Sequence, residues 1–175
     1  MRIINHVFSF LFLFCLSCSQ GNKNAFAPLF FSDNNYDART DVVLLRSDNK
    51  YTLVSYGGYS PQSAACVIKS TGKIAGSQLN GYLVDVNTNI VSYRIDSKRK
   101  IPFHAVLKDS SFEITNAEVT DLCGLNSNFV KQYFRITDKK VLQGSIDNFI
   151  ELMQDSKGNE DLLPALKEAL SQLKR

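Results

Sequence analysis

The sequence predicts an α+β fold: an antiparallel β-sheet (meander or part-closed barrel) with two C-terminal helices and one disulfide. Three observations predict it. From about residue 40, runs of β-branched and aromatic residues recur roughly every 8–12 residues between turn formers, as in antiparallel sheets. After residue 145 the apolar spacing changes to the 3.6-residue period of helices. Two cysteines, Cys66 and Cys123, stand outside an N-terminal segment that resembles an export signal. At 175 residues the chain is long enough for one domain. Its 44% hydrophobic and 21% charged residues exclude collagen, coiled coil and wholesale disorder.

The strands follow from the apolar runs at Asp41–Arg46, Tyr51–Tyr56, Ala64–Lys69, Gly81–Val86, Ile90–Ile95, Phe103–Leu107, Phe112–Thr115 and Val130–Ile136. Ser47-Asp48-Asn49 and Asn87-Thr88-Asn89 read as turns, because Asn and Asp tolerate positive φ and hydrogen-bond their own backbone; Asp109-Ser110 is a weaker one. Tyr82–Val86 against Ile90–Arg94 reads as a hairpin with side chains alternating between faces. In the last third, Ile146, Phe149, Ile150 and Met153 form a helical stripe behind Ser145, an N-cap residue type. After a break at Ser156-Lys157-Gly158-Asn159, Leu162, Leu163, Leu166, Ala169, Leu170 and Leu173 form a second stripe. Glu160 and Asp161 open that helix and Lys174 and Arg175 close it, as the helix dipole favours. Each stripe is one-sided, so each helix should lie on the sheet.

The N-terminus points to export. Arg2 supplies a positive start, and Val7–Leu16 is an apolar run of signal-peptide length, short for a membrane span. Leu16-Ser17-Cys18 followed by the polar Gln20–Asn24 resembles the lipobox of bacterial lipoproteins, although Cys15 stands where that motif has Leu. The resemblance implies lipidation at Cys18, a lipoprotein-like signal peptide over 1–18, and a periplasmic protein lipid-anchored to the outer membrane. Plain cleavage after Ser17-Cys18-Ser19 is the alternative. Residues 19–38 read as a tether and anchoring segment, and 39–175 as a single globular domain. Cys66 and Cys123 read as a disulfide, because an exported chain matures in an oxidising compartment.

No catalytic constellation emerges. Outside the signal the one histidine is His104, in the apolar strand context Pro102–Val106, which reads as a strand-face residue. It has no Glu or Cys at metal-ligand spacing, so neither a metal nor a cofactor is expected. Ser47-Asp48-Asn49-Lys50 and Ser70-Thr71-Gly72-Lys73 match S-x-x-K, but both read as turns, whereas penicillin-recognising enzymes place that serine on a helix. Asp37, Asp41, Glu113, Glu118 and Asp121 are scattered. Without the N-terminal segment the balance is 19 basic against 17 acidic residues, too even to indicate nucleic acid. A hydrolase would need His104 and carboxylates to converge in a cleft. The expectation is no enzyme but recognition through surface shape.

Two features fit recognition. Tyr56, Tyr59 and Ser60 belong to a Tyr/Gly/Ser stretch before Cys66, a composition that gives contact area at low entropic cost, or else an ordinary wide turn with Tyr packed back on the sheet. Arg94 with Lys98, Arg99 and Lys100 is a basic run for an acidic partner, or a solvated hairpin tip. Cys123–Asn128 is a weaker third candidate.

A lipoprotein signal, a small sheet, and Asp121-Leu122-Cys123-Gly124 before an aromatic strand (Phe129, Tyr133, Phe134) together resemble small exported bacterial proteins, among them lysozyme inhibitors and immunity lipoproteins. The likeness covers about residues 60–136. It implies a non-enzymatic, envelope-located protein-binding module, an inhibitor or immunity protein neutralising a toxin or cell-wall hydrolase. The alternative is a structural or assembly lipoprotein of a secretion, conjugation or outer-membrane complex.

Overall fold

The computed structural model describes residues 27–33, 39–57, 66–88, 92–95, 100–123, 128–154 and 162–174. Among them the strands are β1 (Leu29–Ser32), β2 (Asp41–Ser47), β3 (Lys50–Gly57), β4 (Cys66–Ala75), β5 (Gln78–Thr88), β6 (Ser92–Arg94), β7 (Ile101–Leu107), β8 (Ser111–Ala117) and β9 (Gln132–Arg135). The helices are α1 (Thr120–Cys123), α2 (Lys139–Gln154) and α3 (Leu162–Leu173).

Every pairing is antiparallel, and the sheet closes on itself. Around the ring run β4, β3, β2, β1, β9, β8, β7 and β5, with β5 returning to β4. The fold is therefore α+β with an antiparallel sheet, two C-terminal helices and a disulfide, but the sheet is an eight-stranded barrel rather than a meander or a part-closed one. Closure depends on β1, which joins β2 through Leu29↔Leu44 to Ser32↔Asp41, and β9 through Phe31↔Arg135 and Ser32↔Phe134. The four-residue Leu-Phe-Phe-Ser run lacks the polar alternation that marks a strand in sequence, because both of its faces are covered.

Two apolar clusters lie on either side of the barrel wall. Inside are Phe31, Val42, Leu44, Leu53, Ile68, Leu79, Leu83, Phe103, Phe112, Ile114 and Tyr133. Outside, Phe30, Val43, Leu45 and Val54 from β1–β3 meet Ile146, Phe149 and Met153 of α2 and Leu162 and Leu166 of α3. Successive residues of β2 thus alternate between two cores, since side chains on a strand alternate faces. Each fully buried Leu or Phe contributes about 1.5–3 kcal/mol relative to an exposed one. The rings inside interlock: the Phe31 and Phe112 centroids are 5.5 Å apart, and Tyr51 and Phe103 are 6.3 Å apart. Gly81 makes room for them, because a Cβ there would meet the Tyr51 hydroxyl at 2.5 Å and the Thr71 carbonyl at 2.1 Å. Bulges at Lys69/Ser70 and His104/Ala105 add curvature to the wall.

The two ends of the barrel differ. At one, the turn rim, strands join by short turns: Asp48-Asn49, Gly76-Ser77 and residues 108–110. Asp48 (φ 51°) and Gly76 (φ 59°) adopt the left-handed conformation these tight turns require. Ser47-Asp48-Asn49 is the turn read from sequence; the Gly76-Ser77 turn is not, so β4 and β5 run longer than expected. At the other end, the loop rim, the joining segments are 33–40, 58–65 and 118–131.

Helix α2 begins six residues before Ser145. Asp138 caps it, accepting hydrogen bonds from Val141 N–H through Oδ1 (2.8 Å) and from Leu142 N–H through its carbonyl (2.9 Å). Ser145 is a buried mid-helix residue, not the cap, on the face that also buries Ile146, Phe149 and Met153. Glu160, Asp161 and the break at 156–159 lie outside the described residues.

Candidate functional site

The loop rim is sealed and clamped. Cys66 at the start of β4 is bonded to Cys123 at the end of α1, with Cα atoms 5.6 Å apart across 57 positions of sequence. Val119, Cys123 and Phe129 are buried in the barrel's inner core, so the segment after β8 plugs this end. The Tyr133 hydroxyl donates to the Phe129 carbonyl at 2.8 Å and ties the plug to β9. Burial, together with the charge of Asp33, pushes the Tyr133 phenol well above its ordinary range.

A polar seam runs along the same rim. Asp33 accepts from the Thr40 N–H at 2.9 Å through Oδ1 and from the Lys131 ammonium through Oδ2. Lys131 also donates to Thr40 Oγ1 at 3.1 Å. These contacts join β1, β2 and β9 where the barrel closes and the β1–β9 ladder is short. Beside them, Arg39 grips Asp41 with Nε at 2.6 Å and Nη2 at 3.1 Å. Burial nevertheless raises the Asp41 carboxyl, outweighing the pull of Arg39. The Ser145 hydroxyl lies close enough to favour the charged carboxylate without completing a hydrogen bond of regular geometry. Asp33, Thr40 and Lys131 escaped sequence reading because 98 positions separate the outermost two.

Of the predicted recognition residues, Tyr56, Arg94 and Lys100 are among the described ones. Tyr56 sits on the outer face of β3, half-buried against the helix-covered cluster rather than presented to solvent. The Gly57↔Cys66 pair brackets the 58–65 segment, while Tyr59 and Ser60 lie outside the described residues. Arg94 pairs with Asp85 on β5 through the backbone register. Lys100 is exposed, its ammonium 5.1 Å from the Tyr82 ring centroid. Lys98, Arg99 and Cys18 are outside the described residues. Both β6 and β7 pair with the same edge of β5, through Asp85–Asn87 and Gln78–Leu83 respectively.

The described residues of the sequence motifs lie apart from one another. His104 is on the outer wall, exposed, with Nδ1 2.8 Å from Asn80 Oδ1 and no carboxylate in that contact. Ser70 and Lys73 lie within β4, not in a turn, and residues three apart on a strand face opposite ways. Ser70 points into the barrel and shares a 3.0 Å hydrogen bond with the Tyr51 hydroxyl, whose pKa burial raises to about 12. Glu113 is paired with Lys108 at 3.1 Å. Among the described residues, no group of three or more His, Cys, Asp or Glu side chains converges to hold a metal. No helix among the described residues is long and apolar enough to cross a membrane.

The chain matches no family model, no curated protein and no solved structure. Its reading therefore rests on its own residues and geometry.

Proposed function

We propose that the chain is a non-enzymatic binding module of the bacterial envelope, anchored by lipid at Cys18, that holds a protein partner with its loop rim. The partner class we favour is a toxin or cell-wall hydrolase, which the chain would neutralise as an inhibitor or immunity protein. The observation that carries this reading is the contrast between the two ends. The longer connections gather at one rim, and a disulfide and a buried plug hold that rim on a filled barrel. Recognition segments on a rigid frame bind with less ordering cost.

The test mixes the purified full chain with the hydrolase or toxin encoded beside it. A stable complex with loss of the partner's activity is expected, weakened by Tyr59→Ala or Lys98→Glu. Absence of a complex, or turnover by the chain itself that a point substitution abolishes, overturns the reading.

A second reading, an assembly lipoprotein of an envelope machine, is favoured by α3, where Leu163, Leu170 and Leu173 are only partly buried. Leu162 and Leu166 of the same helix are buried against the barrel, so deleting α3 would damage the fold. Leu170→Glu with Leu173→Glu is the cleaner variant, and loss of incorporation with normal stability would select this reading.

A further inference from the structure

A row of cations and hydrogen-bonding groups crosses the outer wall near the turn rim. The register sets Lys50 of β3 opposite Lys73 of β4, Lys73 opposite Asn80 of β5, and Asn80 opposite His104 of β7. All four side chains are exposed, because their strand neighbours Tyr51, Ile74, Leu79 and Phe103 take the inward positions. Neighbouring strands lie about 4.8 Å apart, so the row is roughly 14 Å long. The next outward row, two residues along each strand, holds Thr52, Thr71, Tyr82 and Pro102. Lys100 adds a third cation there, its ammonium 5.1 Å from the Tyr82 ring centroid.

These cations are not neutralised within the fold. Among the described residues, Lys50, Lys73 and Lys100 form no ion pair. Asp48, on the turn before β3, pairs with neither Lys50 nor Lys73. Elsewhere on the wall, Asp85 stands opposite Lys69, and Glu113 is paired with Lys108. Like charges directly opposite on adjacent strands work against the pairing. An anion shared by Lys50 and Lys73 would remove that repulsion as well as adding an attraction. Beside them, Asn80 Oδ1 accepts from His104 Nδ1 at 2.8 Å, which leaves the N–H groups of this exposed amide to donate outward.

The shape of the wall narrows the class of ligand. Strands β3, β4, β5 and β7 are each hydrogen-bonded on both sides, so the row offers no backbone edge to a peptide strand. In a closed ring successive strands face different directions, so a flat bilayer would touch only the crest of the row, whereas a flexible chain can follow it. Tyr82 is the one large exposed ring on these four strands among the described residues, while single-stranded nucleic acid uses successive stacking rings. Amide, imidazole and hydroxyl groups beside ammonium groups match a chain that carries both hydroxyls and anions.

We propose that this row is a docking track for an acidic polysaccharide, with Lys50 and Lys73 holding its anionic groups and Asn80 and His104 meeting its hydroxyls. The track lies on the bare wall and does not depend on the partner proposed for the loop rim.

The test is an NMR titration of the isotope-labelled full chain in nonionic detergent with hexagalacturonate, and separately with maltohexaose, hexaglutamate and hexathymidylate, at matched ionic strength. Saturable shifts at Lys50, Lys73, Asn80, Tyr82 and His104 are expected for hexagalacturonate, and none for maltohexaose. Lys73→Gln should weaken binding roughly tenfold or more, the scale of losing a hydrogen bond to a charged group. Its stability to urea should not fall, since the substitution removes a like-charge pair. Lys140→Gln, which takes the same charge from the exposed start of α2, should leave binding unchanged. Linear, unsaturating shifts with hexagalacturonate overturn the proposal. So does binding of maltohexaose, hexaglutamate or hexathymidylate as tight as that of hexagalacturonate, which would mark a neutral-sugar, acidic-peptide or nucleic-acid surface instead. Equal weakening by Lys73→Gln and Lys140→Gln also overturns it, by showing general surface charge.

Discussion

The outer face of β1–β3 and the outer face of β5, β7 and β8 belong to one barrel and share one interior, yet they obey different rules. The first carries Phe30, Val43, Leu45 and Val54 beneath α2 and α3. The second carries Asn80, Tyr82, Pro102 and His104, all exposed to water. On the covered side a strand divides its side chains between two cores, so Val42-Val43-Leu44-Leu45 is apolar without interruption. On the bare side polar residues alternate with Leu79, Leu83, Phe103 and Ala105. The contrast shows that an unbroken apolar run here marks the strand a helix covers, and alternation marks the wall facing solvent.

Cutting the tie between the two sides should have the largest effect. Cys66 closes the covered group of strands and Cys123 follows the bare group. Replacing both with Ala should cost about 4 kcal/mol, the chain-entropy value for a loop of this length, read from urea denaturation. Phe149→Ala next tests the covered side alone, because this α2 ring is buried against the outer wall. A loss of about 3 kcal/mol is expected, at the lower end for a buried Phe because a helix can settle into the space.

Asp41 gives a smaller effect with a defined sign. Its native pKa is raised above the ordinary value of 3.8, mainly by burial, so the folded chain binds more protons than the unfolded one. Stability from this group is present below 3.8 and is lost as pH rises through the higher native value. Asp41→Asn should remove that slope, seen as a difference between the two pH profiles of unfolding. The smallest effect belongs to the bare wall. Tyr82→Ala gives up a 44% exposed ring and its contact with Lys100, and should cost no more than about 1 kcal/mol. A loss comparable to that of Phe149→Ala would mean the bare wall is not free in solution.

Most strands of the sheet were legible because their signals are local: the β-branched runs from Asp41 to Val86 and the Asp48-Asn49 turn depend on neighbours in sequence. The helices were legible from their stripes, but not the start of α2, where Asp138 rather than Ser145 meets the free N–H groups. Strand β1 was hidden, because three apolar residues after Pro28 give no period to read. The Ser70–Lys73 motif misled for the opposite reason: turn-forming residue types lie within a long strand whose bulge and glycines curve the wall.

Of the recognition residues, the sequence marked chain positions but not their setting. Tyr56 belongs to a stretch that read either as a binding loop or as a turn packed back on the sheet, and the fold sets it half-buried on the wall that α2 and α3 cover. The Asp33–Lys131 seam has no local signal, since it joins strands that become neighbours only when β1 meets β9. The sequence alone thus determined the element types, the disulfide partners and the one-sided helices, all set by local periodicity and by cysteine arithmetic. Tertiary structure decided that the sheet closes, which wall is covered, and which charges meet across strands. Closure depends on pairing between the first and last strands, about a hundred positions apart, and such long-range pairing leaves no periodic trace in the residues that make it.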